Sequence, residues 1–247
     1  TGYFEFEGGY IKPEACIEAQ KIVALKNGAN IVTNTEVIKI IPPRLRRKDF
    51  MIVTSEKIYY SEKVVLTAGS WMPKFIPEAI ASNLEVHRQV LYWFEVRNEF
   101  NRYSSENFPV FIWQRGEKGD LLYGFPAING LDGGIKIASE KSDIVDPSKI
   151  DREVSEEEIE RMYQYASQFL SELKPRCIKA VVCMYTNTPD RQFIIDCHPE
   201  FENMTLVSAC SGHGAKHSAG AAESIAQMAL GQKTNLDLSS FSLKRFS

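Results

Sequence analysis

The stretch Thr205-Leu-Val-Ser-Ala-Cys-Ser-Gly-His-Gly214 runs from an apolar strand into a turn flanked by glycines, and a helix is predicted from about Ala215 to Leu230. Alanine and glycine are frequent in that helix, and small side chains let a helix lie close against another backbone or a flat ligand. A helix N-terminus presents free N–H groups and a partial positive charge, so this turn suits an anionic group. The order of strand, glycine turn and helix predicts an α/β protein but does not specify a ligand.

The first third of the chain repeats this α/β pattern. A helix is predicted over residues 13–27, with Pro13 in its first turn and with Ile17, Val23 and Leu25 on its buried side. Strands are predicted over residues 31–41, 51–54, 57–60 and 63–67. The last of these is a short apolar run before Ala68-Gly69, which is typical of a buried parallel strand that meets a tight turn.

The middle of the chain predicts an antiparallel sheet. Residues 84–96 form a long alternating strand, and shorter strands are expected over 108–113, 121–125 and 134–138. Ser155 and Glu158 form a capping box, and apolar residues recur behind them at helical spacing as far as Leu173. We therefore predict a mixed α/β fold in which the two ends of the chain form one domain and an antiparallel sheet in the middle forms another.

Composition argues against several classes of function. The formal net charge is −3 over 247 residues, no apolar run approaches the roughly 20 residues of a membrane span, and no segment resembles a secretion signal. The five cysteines form no C-x-x-C pair, and no cluster has metal-ligand spacing, so neither a disulfide framework nor a metal site is expected. We expect a cytoplasmic protein, a monomer or weak dimer, with no nucleic-acid or membrane partner.

The start of the chain suggests a fragment. Thr1 is not a methionine, and residues 2–6 are expected to enter partway through a strand. On this basis we expect the chain to be a portion of a longer protein.

Six short motifs in one order go beyond fold class. They are Thr67-Ala-Gly-Ser-Trp71, Tyr123-Gly-Phe-Pro126, Gly134-Ile-Lys-Ile137, Val182-Cys-Met-Tyr-Thr186, Phe193-Ile-Ile-Asp196 with His198-Pro199, and Ser211-Gly-His-Gly214 with Lys216. Each is weak alone, but together they make the chain, from about Gly8 to its C-terminus, resemble the monomeric sarcosine oxidase and N-methyltryptophan oxidase family of FAD-dependent amine oxidases.

The resemblance implies both an architecture and a reaction. A partial glutathione-reductase-like FAD-binding domain would cover residues 8–86 and 190–247, and a substrate domain built on an antiparallel sheet would cover residues 1–7 and 87–189. The substrate would be a small secondary amine that carries a carboxylate. The flavin would take two electrons, the imine would hydrolyse, and molecular oxygen would reoxidise the flavin to give hydrogen peroxide.

Three candidate site residues follow from the resemblance in the middle and C-terminal motifs. Cys183 matches the cysteine that joins covalently to the flavin 8α-methyl carbon, a reaction that needs a thiolate. Tyr185 shares a strand face with Cys183, and it and Tyr123 match tyrosines that border the substrate cavity. A buried structural cysteine and two plain core tyrosines are the alternatives.

Two lysines complete the implied site. Lys216 matches a lysine that binds the substrate carboxylate, and Lys136 matches a lysine over the flavin that promotes reaction with oxygen by stabilising superoxide and peroxide charge. Lys136 lies in an apolar strand, where a lysine is costly to bury without a function or partner. For both residues an exposed lysine is the alternative. Cofactor contacts are further implied at Gly69, Trp71, Gly212, His213 and Gly214, together with Lys216.

The chain departs from the family pattern at two points. Glu140 stands four residues after Lys136, where the family has an active-site histidine, so sarcosine itself is a doubtful substrate. No G-x-G-x-x-G occurs, although the family uses this fingerprint to hold the FAD pyrophosphate. We therefore expect an incomplete sarcosine-oxidase-type enzyme that alone binds FAD poorly and is inactive. The alternative is a truncated, non-catalytic binding or interaction module with the same fold.

Overall fold

The computed structural model describes residues 2–97, 102–115, 120–140 and 142–246. Within them the strands are β1 Val37–Ile41, β2 Phe50–Thr54, β3 Ile58–Ser61, β4 Val64–Leu66, β5 Glu85–Val96, β6 Phe111–Arg115, β7 Asp120–Phe125, β8 Ile135–Ser139, β9 Asp143–Ile144, β10 Leu173–Asn187, β11 Ile194–His198 and β12 Phe201–Ser208. The α-helices are α1 Pro13–Lys26, α2 Glu78–Ala81, α3 Glu156–Ala166 and α4 Ser218–Ala229. The predicted mixed α/β fold is confirmed.

The chain divides into two compact units, each built from two segments. Unit 1 comprises Thr1–Ile11 and His87–Met184, and unit 2 comprises Lys12–Val86 and Tyr185–Ser247. The N-terminal segment therefore belongs to unit 1 and the C-terminal segment to unit 2, and β10 passes from unit 1 to unit 2 at Tyr185.

Unit 1 is organised around a large sheet. Among the described residues it has six strands in the order β10-β5-β8-β7-β6, with β9 paired to β5. The pairs β5–β8, β8–β7 and β7–β6 are antiparallel, as the alternating sequence predicted. Backbone N–H and C=O groups of β5 are therefore paired with those of β8, a strand that is distant in sequence.

Helix α3 covers one face of the large sheet. Its buried Met162 and Ala166 belong to the same apolar cluster as Phe94, Ile135 and Ile137 of the sheet. The predicted capping box is confirmed, because the Ser155 hydroxyl accepts from the Glu158 N–H and the Glu158 carboxylate accepts from the Ser155 N–H. The helix end is thereby satisfied at its first turn.

The same Glu158 also fixes the helix to the sheet. Nη1 of Arg88 on β5 lies 2.6 Å from its carboxylate. The hydrogen bond with Arg88 opposes the effect of burial, and the pKa of Glu158 stays below its usual range. One carboxylate therefore both caps α3 and anchors it.

Unit 2 contains two smaller sheets. In one, called the mixed sheet, β12 lies between β11 and β4, antiparallel to β11 and parallel to β4. In the other, β1, β2 and β3 form an antiparallel meander, and β2 and β3 match the strands predicted over 51–54 and 57–60. The parallel strand predicted over 63–67 is confirmed as β4, which pairs with β12, and Leu66 lies opposite Leu206 in the core. Its predicted burial holds only for Leu66, because Val65 is exposed.

Helix α1 differs from its prediction in its packing. It begins and ends close to the expected bounds, but none of its residues is buried. The side chains of Ile17, Val23 and Leu25 are 62%, 58% and 48% exposed, so the predicted buried side is wrong. Apolar periodicity predicts that a helix has a face suited to packing, but it does not predict a partner for that face. No described part of the chain covers the apolar face of α1.

In the first third of the chain, one predicted strand was too long and another was wrong. The strand predicted over 31–41 begins only at Val37, after Asn34 adopts a left-handed φ of 55° that breaks extended structure. Residues 2–6 form no strand, and their aromatic side chains are exposed. β-Propensity without a partner strand does not make a strand.

Two absences hold for residues 2–97, 102–115, 120–140 and 142–246. No helix among them combines the length and apolar character needed to cross a membrane. No group of three or more His, Cys, Asp or Glu side chains in these ranges could hold a metal ion.

Candidate active site

The unit 1 candidates share one face of the large sheet. Leu122 and Val182 point into the apolar cluster that contains α3. Successive side chains on a strand alternate between faces, so their neighbours Tyr123 and Cys183 lie on the opposite face, here called the second face. Lys136 lies there too, because it alternates with the buried Ile135 and Ile137. Three strands, β7, β8 and β10, therefore present candidate residues to one side.

Lys136 is held between aromatic rings on this second face. It is the cross-strand partner of Trp93 on β5 and of Phe125 on β7. Its Nζ lies 5.4 Å from the centroid of the Trp93 indole and 4.8 Å from that of the Phe125 ring. The lysine is half-buried, so its positive charge is kept near the sheet surface rather than extended into solvent.

Tyr123 and Cys183 have comparable exposure. Both side chains are half-buried, and Cys183 is present as a thiol. Tyr123 lies opposite Ala138, two positions along β8 from Lys136. A cation, a phenol and a thiol thus occupy one partly covered surface, whose chemistry could include charge stabilisation, hydrogen bonding and thiolate attack.

The unit 2 candidates lie on two loops at one edge of the mixed sheet. Strands β4 and β12 are parallel neighbours, and each ends at the same edge. The loop after β4 contains Gly69 and the half-buried Trp71, and the loop after β12 contains Gly212, His213 and Gly214. The carboxyl edge of a parallel sheet is where α/β proteins bind ligands.

The loop after β12 needs glycine for conformational and spatial reasons. Gly212 has a φ of 78°, a region that favours glycine. An added Cβ on Gly214 would lie 1.8 Å from the Ala209 carbonyl oxygen, which no side chain tolerates. An added Cβ on Gly212 would lie 3.1 Å from the ring of Tyr185, so this tyrosine packs directly on the glycine backbone.

A short turn supports the loop after β12. Ser211 has a left-handed φ of 42°, unusual for a residue with a Cβ. Its hydroxyl donates to the Gln192 carbonyl at 3.2 Å and accepts from the Thr188 N–H at 3.4 Å, and its N–H donates to the Thr186 carbonyl at 2.9 Å. These bonds hold the strained loop against the end of β10.

The two basic candidates of this loop differ in their surroundings. The ring of His213 lies 4.9 Å from that of Phe193, and its Nε2 is 3.0 Å from the Arg191 carbonyl. Lys216 is exposed, in a 3-10 turn over Ala215–His217 that precedes α4. His213 therefore has a packing role in unit 2, whereas the Lys216 ammonium is accessible. The helix predicted from about Ala215 begins its α-helical part at Ser218.

Glu140 follows the last residue of β8 and is exposed. Its N–H donates to the Leu121 carbonyl at 3.3 Å, which fixes its backbone beside β7. A carboxylate is thus present at the end of the strand that carries Lys136.

Two buried polar residues near the unit 2 loops were missed by sequence reasoning. Asn187, the last residue of β10, is 3% exposed, and neither its Oδ1 nor its Nδ2 has a hydrogen-bond partner. The Ser208 hydroxyl, at the end of β12, is also buried without a partner. Buried polar atoms are normally satisfied, so these atoms retain unused hydrogen-bonding capacity. Their only signal in the sequence is polar residues at the ends of apolar strands.

Sequence comparisons give the relatives of this chain. Residues 1–228 match the family model for FAD-dependent oxidoreductases of the DAO type. The chain is 31% identical to monomeric sarcosine oxidase of Streptomyces avermitilis over 246 residues, covering 99% of this chain and 63% of that protein. It is 32% identical to N-methyl-L-tryptophan oxidase of Salmonella dublin, covering 100% of this chain and 63% of that protein. The chain thus spans about three fifths of these curated relatives.

Solved structures show the same fold at lower identity. L-Proline dehydrogenase from P. horikoshii matches with a TM-score of 0.75 at 18% identity, covering 95% of this chain and 59% of that one. NikD, described as an unusual amino acid oxidase essential for nikkomycin biosynthesis, matches with a TM-score of 0.74 at 16% identity, covering 93% and 59%. Since the family model covers most of the chain, this protein belongs to the FAD-dependent oxidoreductase family.

Proposed function

We propose that this chain is the substrate-binding and flavin-contacting part of an amine oxidase that acts on a secondary amine of an N-methyl amino acid. The products would be an imine and hydrogen peroxide. The observation that carries the proposal is that Lys136, Tyr123 and Cys183 all lie on the second face of the large sheet, on strands β8, β7 and β10. The relatives named sarcosine oxidase and N-methyltryptophan oxidase support the same reaction class.

Unit 2 has features that fit FAD. The glycine-bearing loops follow two parallel strands, Gly214 admits no Cβ, and Asn187 and Ser208 offer unpartnered buried polar atoms. Backbone N–H groups at such a turn suit a polar or anionic ligand. In this proposal Gly69, Trp71 and the Gly212-His-Gly214 turn contact the cofactor. FAD, when bound, would supply a two-electron acceptor.

The remaining roles belong to side chains of the chain itself. Cys183 would hold the cofactor covalently through its sulfur, and Lys136 would stabilise negative charge that develops on oxygen. Lys216, with its accessible ammonium, would bind the substrate carboxylate. Tyr123 and Tyr185 would border the substrate. The exposed carboxylate of Glu140, at the end of the strand that carries Lys136, would alter the charge balance of the site and thereby the choice of amine.

A peroxide assay tests the proposed activity. The protein expressed from its complete gene would be assayed with sarcosine, N-methyltryptophan, proline and pipecolate. We expect peroxide from at least one of these secondary amines, and Lys216→Met should raise KM for that substrate by about tenfold or more, because a charge-assisted hydrogen bond is lost. Absence of peroxide with every secondary amine would overturn the proposal.

A further inference from the structure

Lys136 is the middle member of a row of three side chains that crosses the large sheet. Trp93, Lys136 and Phe125 are direct partners on the adjacent strands β5, β8 and β7. Cross-strand partners on one face have Cβ atoms about 5 Å apart, so their side chains meet without any adjustment of the backbone. The ammonium is thus flanked by an aromatic side chain on each neighbouring strand.

Aromatic rings attract a cation through the negative potential of their faces. The attraction is strongest for an indole and grows when water is partly excluded. Both ring distances of Lys136 are within the range in which this attraction operates, and the lysine is half-buried. The two rings therefore restrain the ammonium at this place on the sheet.

The Trp93 indole also attracts a second cation. Nζ of Lys179, on β10, lies 5.0 Å from its centroid. Lys179 is exposed, whereas Lys136 is half-buried, so the same ring contacts one solvated and one partly covered ammonium. The Trp93 indole is therefore a cation-binding ring in this structure, and Lys136 is the more buried of its two ammonium groups.

We propose that Trp93 is the positioning residue of Lys136, with Phe125 as the second ring. Trp93 fixes the ammonium on the face that carries Tyr123 and Cys183, where the lysine acts on oxygen. The catalytic consequence rests on the proposed function, but the restraint of Lys136 by Trp93 does not require it.

Acylation of lysines followed by mass spectrometry tests the restraint without reference to flavin. An acylating reagent attacks the neutral, accessible amine. The acylation rate at Lys136 is therefore lowered when the rings hold its ammonium against the sheet. The protein from the complete gene would be treated briefly with acetic anhydride, and Lys136 would be compared with Lys149, whose side chain is 84% exposed. In Trp93→Leu the acylation rate at Lys136 is expected to rise about three- to tenfold, because one partly desolvated cation–ring contact is lost.

Three further variants separate positioning from loosening of the sheet. Trp93→Phe keeps a ring and should leave the Lys136 rate within about twofold of the unsubstituted protein. Phe125→Leu should raise it, and supplies a second measurement if Trp93→Leu does not fold. Trp113→Leu removes a tryptophan of the same sheet, whose ring packs on Phe111 of β6 and on Phe169, which follows α3. That control should leave the Lys136 rate unchanged.

The catalytic arm uses oxygen kinetics. In Trp93→Leu, kcat/KM for oxygen should fall about three- to tenfold while kcat/KM for the amine stays within twofold, and Trp93→Phe should restore the former. An unchanged Lys136 acylation rate in Trp93→Leu overturns the proposal, as does an equal rise in Trp113→Leu. Failure of the unsubstituted protein to oxidise any amine would instead refute the proposed function, and the acylation result would still decide the role of Trp93.

Discussion

Cys183 is the residue on which covalent attachment of a flavin depends in the proposed function. Its thiol is half-buried on the second face of the large sheet. Cys183→Ser should abolish the flavin that stays with acid-precipitated protein, because an un-ionised hydroxyl is a poor substitute for a thiolate. Absorbance of the redissolved pellet, prepared from the complete gene product, measures the retained flavin.

Cys177→Ser is the matched control for this exchange. Cys177 is on the same strand, but it packs against the α3 side of the sheet, and burial raises the pKa of its thiol. It is therefore a poorer nucleophile and should be dispensable for attachment. Covalent flavin that persists in Cys183→Ser and disappears in Cys177→Ser would reverse the assignment.

Asp190 gives unit 2 a defined dependence on acid. The Arg245 guanidinium, whose Nε lies 2.7 Å from Oδ2, lowers the pKa of the Asp190 carboxyl from the ordinary 3.8 to about 2. Because folding lowers this pKa, the ionised carboxylate stabilises the fold at pH values above the unfolded-state pKa of 3.8. That stabilisation is lost as the pH falls from 3.8 towards 2. Since the Asp190 side chain is 40% exposed, solvent screening reduces the contribution to about 1 kcal/mol.

Arg245→Gln should therefore lower the free energy of unfolding by about 1 kcal/mol at neutral pH. The deficit should shrink over the same acid range. Arg245 also lies 4.1 Å from the Phe246 ring, so a part that does not vary with pH is expected to remain. Urea unfolding at several pH values measures the difference, and Lys244→Gln, at an exposed neighbouring lysine, is the charge-matched control. A deficit that is constant down to pH 2 would contradict the assignment of the pair.

At the scale of elements, the turn between β12 and α4 is the part of the candidate site most constrained by space. Gly214→Ala should destabilise the fold by about 3 kcal/mol, because its Cβ would overlap the Ala209 carbonyl and force the backbone to move. Gly220→Ala, inside α4, meets only Leu236 Cδ1 at 3.9 Å and should stabilise by about 0.5–1 kcal/mol through helix propensity. Equal effects of the two exchanges on thermal unfolding would show that the close approach is unimportant.

Elements with strong local signals were predicted well, and those defined by distant partners were not. The capping box fixed the start of α3, because its hydrogen bonds join residues three apart. Its end was placed too late: Leu170 and Leu173 continue the apolar pattern and are buried, but α3 ends at Ala166 and Leu173 already begins β10. A buried leucine satisfies the core equally well from a helix, a turn or a strand, so periodicity alone does not locate that boundary.

At the scale of the whole molecule, the sequence nominated the residues of the candidate site, but it did not predict how the fold arranges them. Alternation predicts which side chains share a strand face, but the strand order in which β8 lies between β5 and β7 depends on pairing between distant segments. Cys183 and Tyr185 illustrate the limit. They are two residues apart, yet the division into units falls between them, and the Tyr185 ring packs on Gly212 of unit 2.

The last prediction concerns the affinity of the 247-residue chain for FAD, compared with that of the complete gene product. They contain no G-x-G-x-x-G, the sequence that holds a dinucleotide pyrophosphate at a helix N-terminus, and they span 63% of the sarcosine oxidase relative. The 247-residue chain should therefore retain far less than one equivalent of FAD after gel filtration, whereas the complete gene product should retain it. Flavin absorbance after denaturation measures both. Stoichiometric flavin on the 247-residue chain would contradict this, and would mean that the turn at Gly212–Gly214 and the unpartnered Asn187 bind the cofactor without the fingerprint; Asn187→Leu should then release it.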